Sequence, residues 1–268
     1  MTDPGDRGIG NPARARLDAG GVLTMMSLRQ LRGPDAAMMV AECGFDGFYV
    51  DREHGTYTDA EASAPCAAGQ MLGLLPAVRV RANAPADIGA ALDGGALCII
   101  VPHVASASDA RRAVHAAKFP PRGGRSMMAL NPTTRYRALA GDELARSVDA
   151  LTMVVAMLET ADGVAAAGEI AAVPGIDALM MGPNDLSAEL GIHGQVRHPM
   201  ILDAYRAAAE AARANRRHFV AGGAGGPEAA ELAALGARIF MGGSDVGYMI
   251  ASGRAAAATL RRQAGGAG

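Results

Sequence analysis

Ionisable side chains follow three apolar segments of the chain, and these are the residues that could do chemistry. The first segment runs into Asp51-Arg52-Glu53-His54, the second into Glu159 and the third into Asp185. Short apolar runs of this kind are typical of buried strands in a parallel sheet. Because α/β folds place their chemistry at the carboxyl ends of such strands, the sequence predicts that these side chains share one site.

Glu159 and Asp185 follow consecutive predicted strands, so their carboxylates would face each other across the mouth of a barrel. Two carboxylates without a nearby cysteine form a hard, oxygen-only donor set, which suits Mg²⁺ or Mn²⁺. The alternative is that each acid only caps the helix that follows it. The pairing on neighbouring strands favours the metal site.

His54, Arg79 and His103 are further candidates near predicted strand ends. His54 has Asp51 and Glu53 as neighbours, and either carboxylate could fix its tautomer and raise its basicity. No histidine lies four residues further on, which excludes a zinc-protease helix. The guanidinium of Arg79 is costly near a strand end unless it pairs with a carboxylate or an anionic substrate. His103 is a candidate substrate contact.

Two glycine-containing segments, 222–226 and Gly182-Pro183, could present backbone N–H groups to a carboxylate or a phosphate at a helix start. Glycines in barrel loops often serve turns alone. The sequence has no GxGxxG after its first predicted strand and no Walker pattern. A nicotinamide cofactor or a nucleotide is therefore not indicated.

Composition limits the class of protein. Of the 268 residues, 50% are hydrophobic and none is tryptophan, so a large core of small and aliphatic side chains is expected. The net charge of -2 gives no electrostatic footprint for nucleic acid or an anionic membrane. Cys43, Cys66 and Cys98 lack metal spacing, which predicts buried free thiols in a reducing compartment. The polar start, 2–12, is not a signal peptide, and we expect a cytoplasmic protein.

Strand-like and helix-like segments alternate along the chain. This alternation predicts a single-domain (β/α)8 TIM barrel over residues 13–268, preceded by a mobile arm over residues 1–12. A doubly wound open sheet is the alternative fold. The predicted strands are 22–26, 44–50, 75–80, 97–101, 151–158, 177–181, 219–221 and 238–241.

Capping residues mark the starts of several predicted helices. Thr58 and Glu61 have the spacing of a capping box. Ser108-Asp109 is expected to cap a later helix, and Ser244 or Asp245 the last one. The segment 136–150 follows a long excursion after the fourth strand and is expected to be mostly helical.

Four separated motifs together resemble one family. They are Gly44-Phe45-Asp46 with Asp51-Arg52-Glu53-His54, then Pro76-Ala77-Val78-Arg79, Leu158-Glu159-Thr160 and Gly182-Pro183-Asn184-Asp185-Leu186-Ser187. In this order and spacing the chain resembles the HpcH/HpaI class II aldolases, which include 4-hydroxy-2-oxoheptanedioate and 2-dehydro-3-deoxyglucarate aldolases. Val101-Pro102 and the segment 119–125 also match, so the resemblance covers most of the chain.

The resemblance implies a metal-dependent lyase that cleaves a 4-hydroxy-2-oxo acid into pyruvate, or a close 2-oxo acid, and an aldehyde. Glu159 and Asp185 would bind the divalent cation, which could be Mg²⁺, Mn²⁺ or Co²⁺. Arg79 would hold the keto oxygen that becomes the enolate oxygen. No lysine ends a predicted strand, which disfavours a Schiff-base aldolase.

Further roles follow from the same resemblance. His54 would be the base or proton relay, and Asp51 and Asp93 match acidic residues that support it. The backbone of Gly182, Pro183 and Asn184, up to Asp185, would receive the carboxylate of pyruvate.

Three residues depart from the family pattern and bear on the substrate. Arg52 adds a charge where several members carry a small or apolar residue. Met157 stands where the heptanedioate enzymes have glutamine, and His103 stands where an apolar residue is common. A citramalyl- or malyl-CoA lyase-like enzyme shares Leu158-Glu159-Thr160 and is one alternative. An oxaloacetate decarboxylase and a non-catalytic 2-oxo acid sensor are the others.

The last predicted helix suggests assembly. It carries Val246, Tyr248, Met249 and Ile250 and then a run of alanines, which is more apolar surface than one barrel needs. The resemblance implies that this helix is exchanged between subunits of a homo-oligomer, with a hexamer as the family's assembly. A small 2-oxo acid is the only other partner that we expect.

Overall fold

Eight parallel strands close into one barrel in a computed structural model of the chain, and each strand pairs with its neighbours in sequence order. The predicted (β/α)8 fold is therefore confirmed. The structure describes residues 9–223, 226 and 228–265. Most of the predicted arm, residues 1–8, lies outside this part, and Pro12 already belongs to the first helix. Ala224, Gly225 and Pro227 of the predicted glycine loop and its following helix also lie outside it.

The strands are β1 (Leu23–Leu28), β2 (Gly47–Asp51), β3 (Leu75–Arg79), β4 (Cys98–Val101), β5 (Met153–Leu158), β6 (Ala178–Met181), β7 (His218–Ala221) and β8 (Ile239–Ser244). The helices before the fifth strand are α1 (Pro12–Asp18), α2 (Asp35–Glu42), α3 (Asp59–Met71), α4 (Pro85–Asp93), α5 (Ala107–Ala117) and α6 (Gly141–Leu151). Those after it are α7 (Ala161–Ala165), α8 (Ala167–Ala172), α9 (Pro183–Glu189), α10 (Pro199–Ala214), α11 (Glu228–Ala234) and α12 (Asp245–Gln263). A 3-10 turn, Pro132–Thr134, precedes α6.

Burial on both faces explains why the strands read as continuous apolar runs. Every residue of β2, β3 and β5 is buried. One apolar cluster fills the barrel interior, where Met25, Ile100 and Met153 meet, and a second packs the helices onto the outside of the sheet. Gly47 begins β2 so close to β3 that a Cβ there would lie 2.5 Å from the carbonyl oxygen of Leu75.

Two helix starts differ from the sequence prediction. The N-cap of α5 is Ser106, whose hydroxyl oxygen accepts from the backbone N–H of Asp109, so the prediction of Ser108-Asp109 as the cap was wrong. Residues 136–140 are not helical either. Arg135 and Tyr136 have φ angles of 53° and 57°, and this left-handed backbone cannot continue a right-handed helix.

Other local predictions can be compared directly. The capping box of Thr58 and Glu61 and the N-cap at Ser244 are confirmed. Cys66 and Cys98 are buried free thiols as expected, but Cys43 is exposed, because it follows α2 on the outer surface. No helix among the described residues is long and apolar enough to cross a membrane.

A buried carboxylate ties the last helix to the first strand. Asp245, the first residue of α12, accepts hydrogen bonds from the backbone N–H groups of Arg29, Gln30 and Leu31 at distances of 2.7 to 3.1 Å. These residues form the loop that leaves the carboxyl end of β1. The loop is thereby fixed at the rim where the sequence predicts the site.

Candidate active site

A cavity of about 290 Å³ opens at the carboxyl ends of the strands. Its lining includes residues from the ends of β1, β2, β3, β5, β6 and β8, so the barrel brings together segments that are distant in sequence. Among the lining residues are Arg29, His54, Arg79, Met157, Asn184 and Asp185.

Asp51 and Arg79 form a buried ion pair at the base of the site. They are register partners on β2 and β3, with Nε of Arg79 3.0 Å from Oδ1 of Asp51 and Nη2 2.6 Å from Oδ2. Burial alone would raise the pKa of Asp51, but the hydrogen bonds and charge of Arg79 outweigh it and lower that pKa. Both side chains are therefore held in their charged forms.

Glu53 and His103 extend this pair across the mouth of the barrel. Nη1 of Arg79 lies 2.8 Å from Oε2 of Glu53, and Nε2 of His103 lies 3.0 Å from its Oε1. On its other side, His103 places Nδ1 3.1 Å from Oε1 of Glu159, and its backbone N–H donates to the same oxygen at 2.7 Å. A continuous series of polar contacts thus runs from β2 and β3 to the end of β5.

Sequence reasoning missed how this series is built. It treated Glu53 only as a neighbour of His54, and His103 only as a substrate contact. The position of His103 depends on a left-handed backbone, with φ at 53°, just past the end of β4. The position of His103 just past a strand end was the signal that it belongs to the site. The sequence did not show which carboxylates it contacts, because Glu53 follows β2 and Glu159 follows β5.

Glu159 carries an oxygen without a partner. Its side chain is buried, and Oε2 accepts no hydrogen bond from any described residue. A Cβ on Gly182 would lie 2.7 Å from that oxygen, so only glycine leaves it room. Burial first, and then the charges of Glu53 and Asp185, raise the pKa of Glu159 to about 7.

An orphaned, buried carboxylate oxygen beside further acids is an arrangement that a divalent cation would satisfy. Of the predicted pair, Asp185 lines the cavity, and its charge acts on the buried carboxylate of Glu159. In addition, Glu53, His103 and Glu159 have donor atoms that all lie within 4.8 Å of one another. The donor set of the described residues therefore fits a divalent metal, and Glu159 belongs to both groupings.

His54 lines the cavity as expected, but its surroundings differ from the prediction. Its backbone N–H donates to Oδ1 of Asp51 at 3.1 Å. Within the described part of the chain, neither Asp51 nor Glu53 makes a hydrogen bond to the imidazole ring, because both carboxylates are occupied by Arg79 and, for Glu53, by His103. The expectation that one of them fixes the tautomer was therefore wrong.

Asp93 lies apart from these residues. It is the last residue of α4, and a helix that follows a strand in a barrel returns to the amino end of the sheet. There its carboxylate accepts a hydrogen bond of 2.7 Å from Nη2 of Arg125. The structure does not bring Asp93 to His54 within this chain.

The segment expected to receive a carboxylate offers fewer donors than the sequence suggested. The backbone N–H of Gly182 already donates to the carbonyl oxygen of Leu158 at 2.9 Å, and Pro183 has no N–H. This leaves Asn184 and Asp185, in the first turn of α9, with N–H groups that have no acceptor within the helix.

The other two departures, besides His103, also have a place in the structure. Arg52 is not among the described residues that line the cavity; it is buried and forms an ion pair with Asp59 at the start of α3, so its charge is paired. Met157 lines the cavity, and its Cε would be 2.8 Å from a Cβ on Gly182. An apolar methyl group therefore lies next to Glu159.

Comparison with known proteins agrees with this geometry. A 4-hydroxy-4-methyl-2-oxoglutarate aldolase of Hapsidospora irregularis is 38% identical over 201 residues, which are 74% of this chain and 73% of that protein. One from Chaetomium globosum is 36% identical over 210 residues, covering 78% and 77% of the two chains. The crystal structure of an HpcH/HpaI aldolase from Desulfitobacterium hafniense is 28% identical and superimposes with a TM-score of 0.88, covering 92% of this chain and 96% of that one.

The family itself is shown by a match over most of the chain. The model of the HpcH/HpaI aldolase/citrate lyase family matches residues 26–252, which include all eight strands except the first three residues of β1. The resemblance seen in the sequence motifs is thereby confirmed. The chain belongs to the HpcH/HpaI aldolase/citrate lyase family.

Proposed function

We propose that this protein is a class II pyruvate aldolase, a divalent-metal-dependent carbon–carbon lyase. It cleaves a 4-hydroxy-2-oxo acid into pyruvate, or a close 2-oxo acid, and a carbonyl compound. The observation that carries this proposal is the buried, unpartnered oxygen of Glu159 beside a cavity that also contains Arg79. The similarity to fungal aldolases that act on a 4-hydroxy-2-oxo acid supports it.

Glu159 and Asp185 would hold the metal through carboxylate oxygens. When bound, such an ion supplies positive charge that stabilises the negative charge developing on the substrate. The raised pKa of Glu159 fits this role, because the carboxylate is poorly solvated and gains more from a nearby cation than an exposed one would. His103 holds Oε1 of Glu159 from the side of β4 and leaves Oε2 for the ligand.

Arg79 would stabilise the enolate oxygen. Its Nε and Nη2 are fixed on Asp51 and its Nη1 on Glu53, so the guanidinium plane is oriented before substrate arrives. The second hydrogens of Nη1 and Nη2 remain for the keto oxygen of the substrate. A preorganised donor of this kind stabilises the transition state without reorganisation during the reaction.

His54 would move the proton. In the cleavage direction it takes the proton of the 4-hydroxyl group, the C3–C4 bond breaks, and the electron pair passes to C3 and the enolate oxygen. Protonation at C3 then gives the methyl group of pyruvate. The imidazole lines the cavity and is exposed, so it can exchange the proton with water. The N–H groups of Asn184 and Asp185 would receive the pyruvate carboxylate.

Asp93 would act in the site of a neighbouring subunit. Within one chain it lies at the end of α4 and is bound to Arg125. Its role therefore depends on assembly, and we propose that the protein is a homo-oligomer. We also propose a cytoplasmic location, which the three free cysteines support.

The surface of α12 supports assembly. Asp245 is its only buried residue, whereas Tyr248, Met249 and Leu260 are exposed, Met249 by 73%. A long helix with this much uncovered apolar area is stabilised by packing on another surface. We propose that α12 packs on, or is exchanged with, a neighbouring subunit, and that the hexamer of the family is the assembly.

Removal of the metal is the direct test of the proposed function. Treatment with a chelator should abolish pyruvate release from 4-hydroxy-2-oxo acids without unfolding the protein, because the apolar core and not the site holds the barrel together. Mn²⁺, Co²⁺ or Mg²⁺ should restore activity, and Glu159→Gln and Asp185→Asn should prevent the restoration. Variants of these two residues that bind metal and turn over normally would refute the assignment.

Arg79→Lys tests whether Arg79, in addition to the metal, stabilises the enolate oxygen. The substitution keeps the positive charge but not the planar fork that contacts Asp51, Glu53 and the substrate together. We expect kcat to fall by about 10²-fold with a smaller change in KM, as for a contact made mainly in the transition state. Exchange of the methyl protons of pyruvate with solvent should slow in parallel. Wild-type exchange with only a raised KM would make Arg79 a docking residue.

The raised pKa of Glu159 predicts how stability depends on pH in the metal-free protein. Its folded pKa of about 7 lies above the ordinary 4.5, so its contribution to stability is fully present below pH 4.5 and is lost as the pH rises through 7. Urea unfolding of Glu159→Gln should show a smaller loss over this range than the wild type. The exposed Glu169→Gln is the control and should follow the wild type. Equal pH profiles for all three proteins would contradict the prediction.

Light scattering tests the assembly. At micromolar concentration we expect a mass that is a multiple of the chain, with six copies for the hexamer that the family resemblance implies. Deletion of α12 should lower the number of chains in the assembly, because its exposed apolar side chains would no longer pack on a neighbour. A monomeric full-length protein would refute both the exchange and the hexamer.

A further inference from the structure

A second guanidinium, that of Arg29, lines the cavity beside Arg79. Both groups contact one oxygen, Oδ2 of Asp51: Nη2 of Arg79 at 2.6 Å and Nε of Arg29 at 3.5 Å. Arg79 uses three nitrogens on carboxylates and its side chain is 5% exposed. Arg29 makes only this one long side-chain contact within the described residues, and its side chain is 46% exposed. Its terminal nitrogens are therefore available to a ligand.

The backbone of Arg29 is fixed although its side chain is not fully engaged. Its N–H donates to both carboxylate oxygens of Asp245, at 3.0 and 3.1 Å, and the next two N–H groups of the loop donate to the same carboxylate. An anchored main chain aims the side chain at a constant part of the cavity. This limits the entropy that Arg29 loses when it binds an anion.

The charges of the residues that line the cavity are compatible with an anion bound to Arg29. Among the described lining residues Asp185 is the only carboxylate, and it belongs to the proposed metal site. Several other lining residues of the cavity are small and neutral, among them Ser27, Gly243 and Ser244. The carboxylate that the side chain of Arg29 contacts, that of the buried Asp51, is already engaged by Arg79 on both oxygens, and the carboxylate of Asp245 is taken up by backbone N–H groups of the loop.

We propose that Arg29 binds a second carboxylate of the substrate, attached to C4 of the 4-hydroxy-2-oxo acid. This inference rests on the proposed function and names its substrate class, the 4-hydroxy-2-oxo dicarboxylic acids. Because Arg29 and Arg79 share one oxygen of Asp51, their guanidinium groups lie a few ångströms apart, as do a C2 keto oxygen and a carboxylate on C4. Arg79 takes the keto oxygen and Arg29 takes the carboxylate.

Cleavage of such a substrate leaves the second carboxylate on the departing half. The C3–C4 bond breaks, the electron pair stays with C3, and the proton of the 4-hydroxyl group goes to His54. C4 becomes a carbonyl carbon that still carries its carboxylate, so the second product is also a 2-oxo acid.

The test compares two substrates that differ only at this group. These are 4-hydroxy-4-methyl-2-oxoglutarate and 4-hydroxy-4-methyl-2-oxopentanoate, in which a methyl group replaces the second carboxylate. Arg29→Gln should raise KM for the dicarboxylate by about 10- to 100-fold, the size expected for a hydrogen-bonded ion pair, and change KM for the monocarboxylate by less than about 2-fold. Arg29→Lys should lie between the wild type and Arg29→Gln.

Proton exchange of pyruvate separates this role from an indirect one. That half-reaction needs Arg79 and the metal but not the second carboxylate, so Arg29→Gln should leave its rate unchanged. Arg32→Gln is the matched control: it is an arginine of the same loop that pairs with Glu61 and stacks on the ring of Tyr57, away from the cavity. It should leave the preference for the dicarboxylate unchanged.

Three results would overturn the proposal. If Arg29→Gln slows both substrates and proton exchange alike, Arg29 acts by orienting Asp51 and Arg79. If it alters neither substrate while the wild type releases pyruvate from both, Arg29 binds no carboxylate and the proposed function stands without it. If the wild-type protein, loaded with Mn²⁺, releases pyruvate from neither substrate and exchanges no protons, the proposed function fails as well.

Discussion

The ion pair between Asp51 and Arg79 is the constraint around which the site is arranged. Two opposite charges buried on adjacent strands are tolerated only with good geometry and additional hydrogen bonds, and both oxygens of Asp51 are used. The barrel supplies that geometry through the register of β2 and β3. Glu53, His103 and Arg29 then take positions set by this pair, and Glu159 is reached through His103.

The site contains clustered charges and a carboxylate oxygen that accepts no hydrogen bond from the described residues. Acidic groups gather on one side, where Glu159 keeps an oxygen without a partner, and guanidinium groups gather around Asp51 on the other. A consequence of this arrangement is that burial raises the pKa of the Glu159 carboxyl group. A metal ion would complement the acidic side, and an anionic substrate would complement the guanidinium side. The arrangement that would bind these ligands is therefore unfavourable for the stability of the protein without them.

The fold and the location of the site could be predicted because both depend on local patterns. Apolar runs that end in acids mark strand ends, and closure of the barrel brings all strand ends to one rim. Contacts that depend on backbone detail could not be predicted. His103 reaches Glu159 through a left-handed turn, and the N–H of Gly182 is consumed by Leu158. Asp93 matches an acidic residue of the family, but such a match does not show which residues lie near it in the folded chain.

The bond from Asp245 to Arg29 spans 216 residues of sequence. During synthesis the loop after β1 leaves the ribosome long before the carboxylate that orders it. Arg29 therefore cannot take its final position until α12 begins to form, whatever the state of the other strands. A nascent chain therefore carries Glu159 and Asp185 before it can orient this arginine.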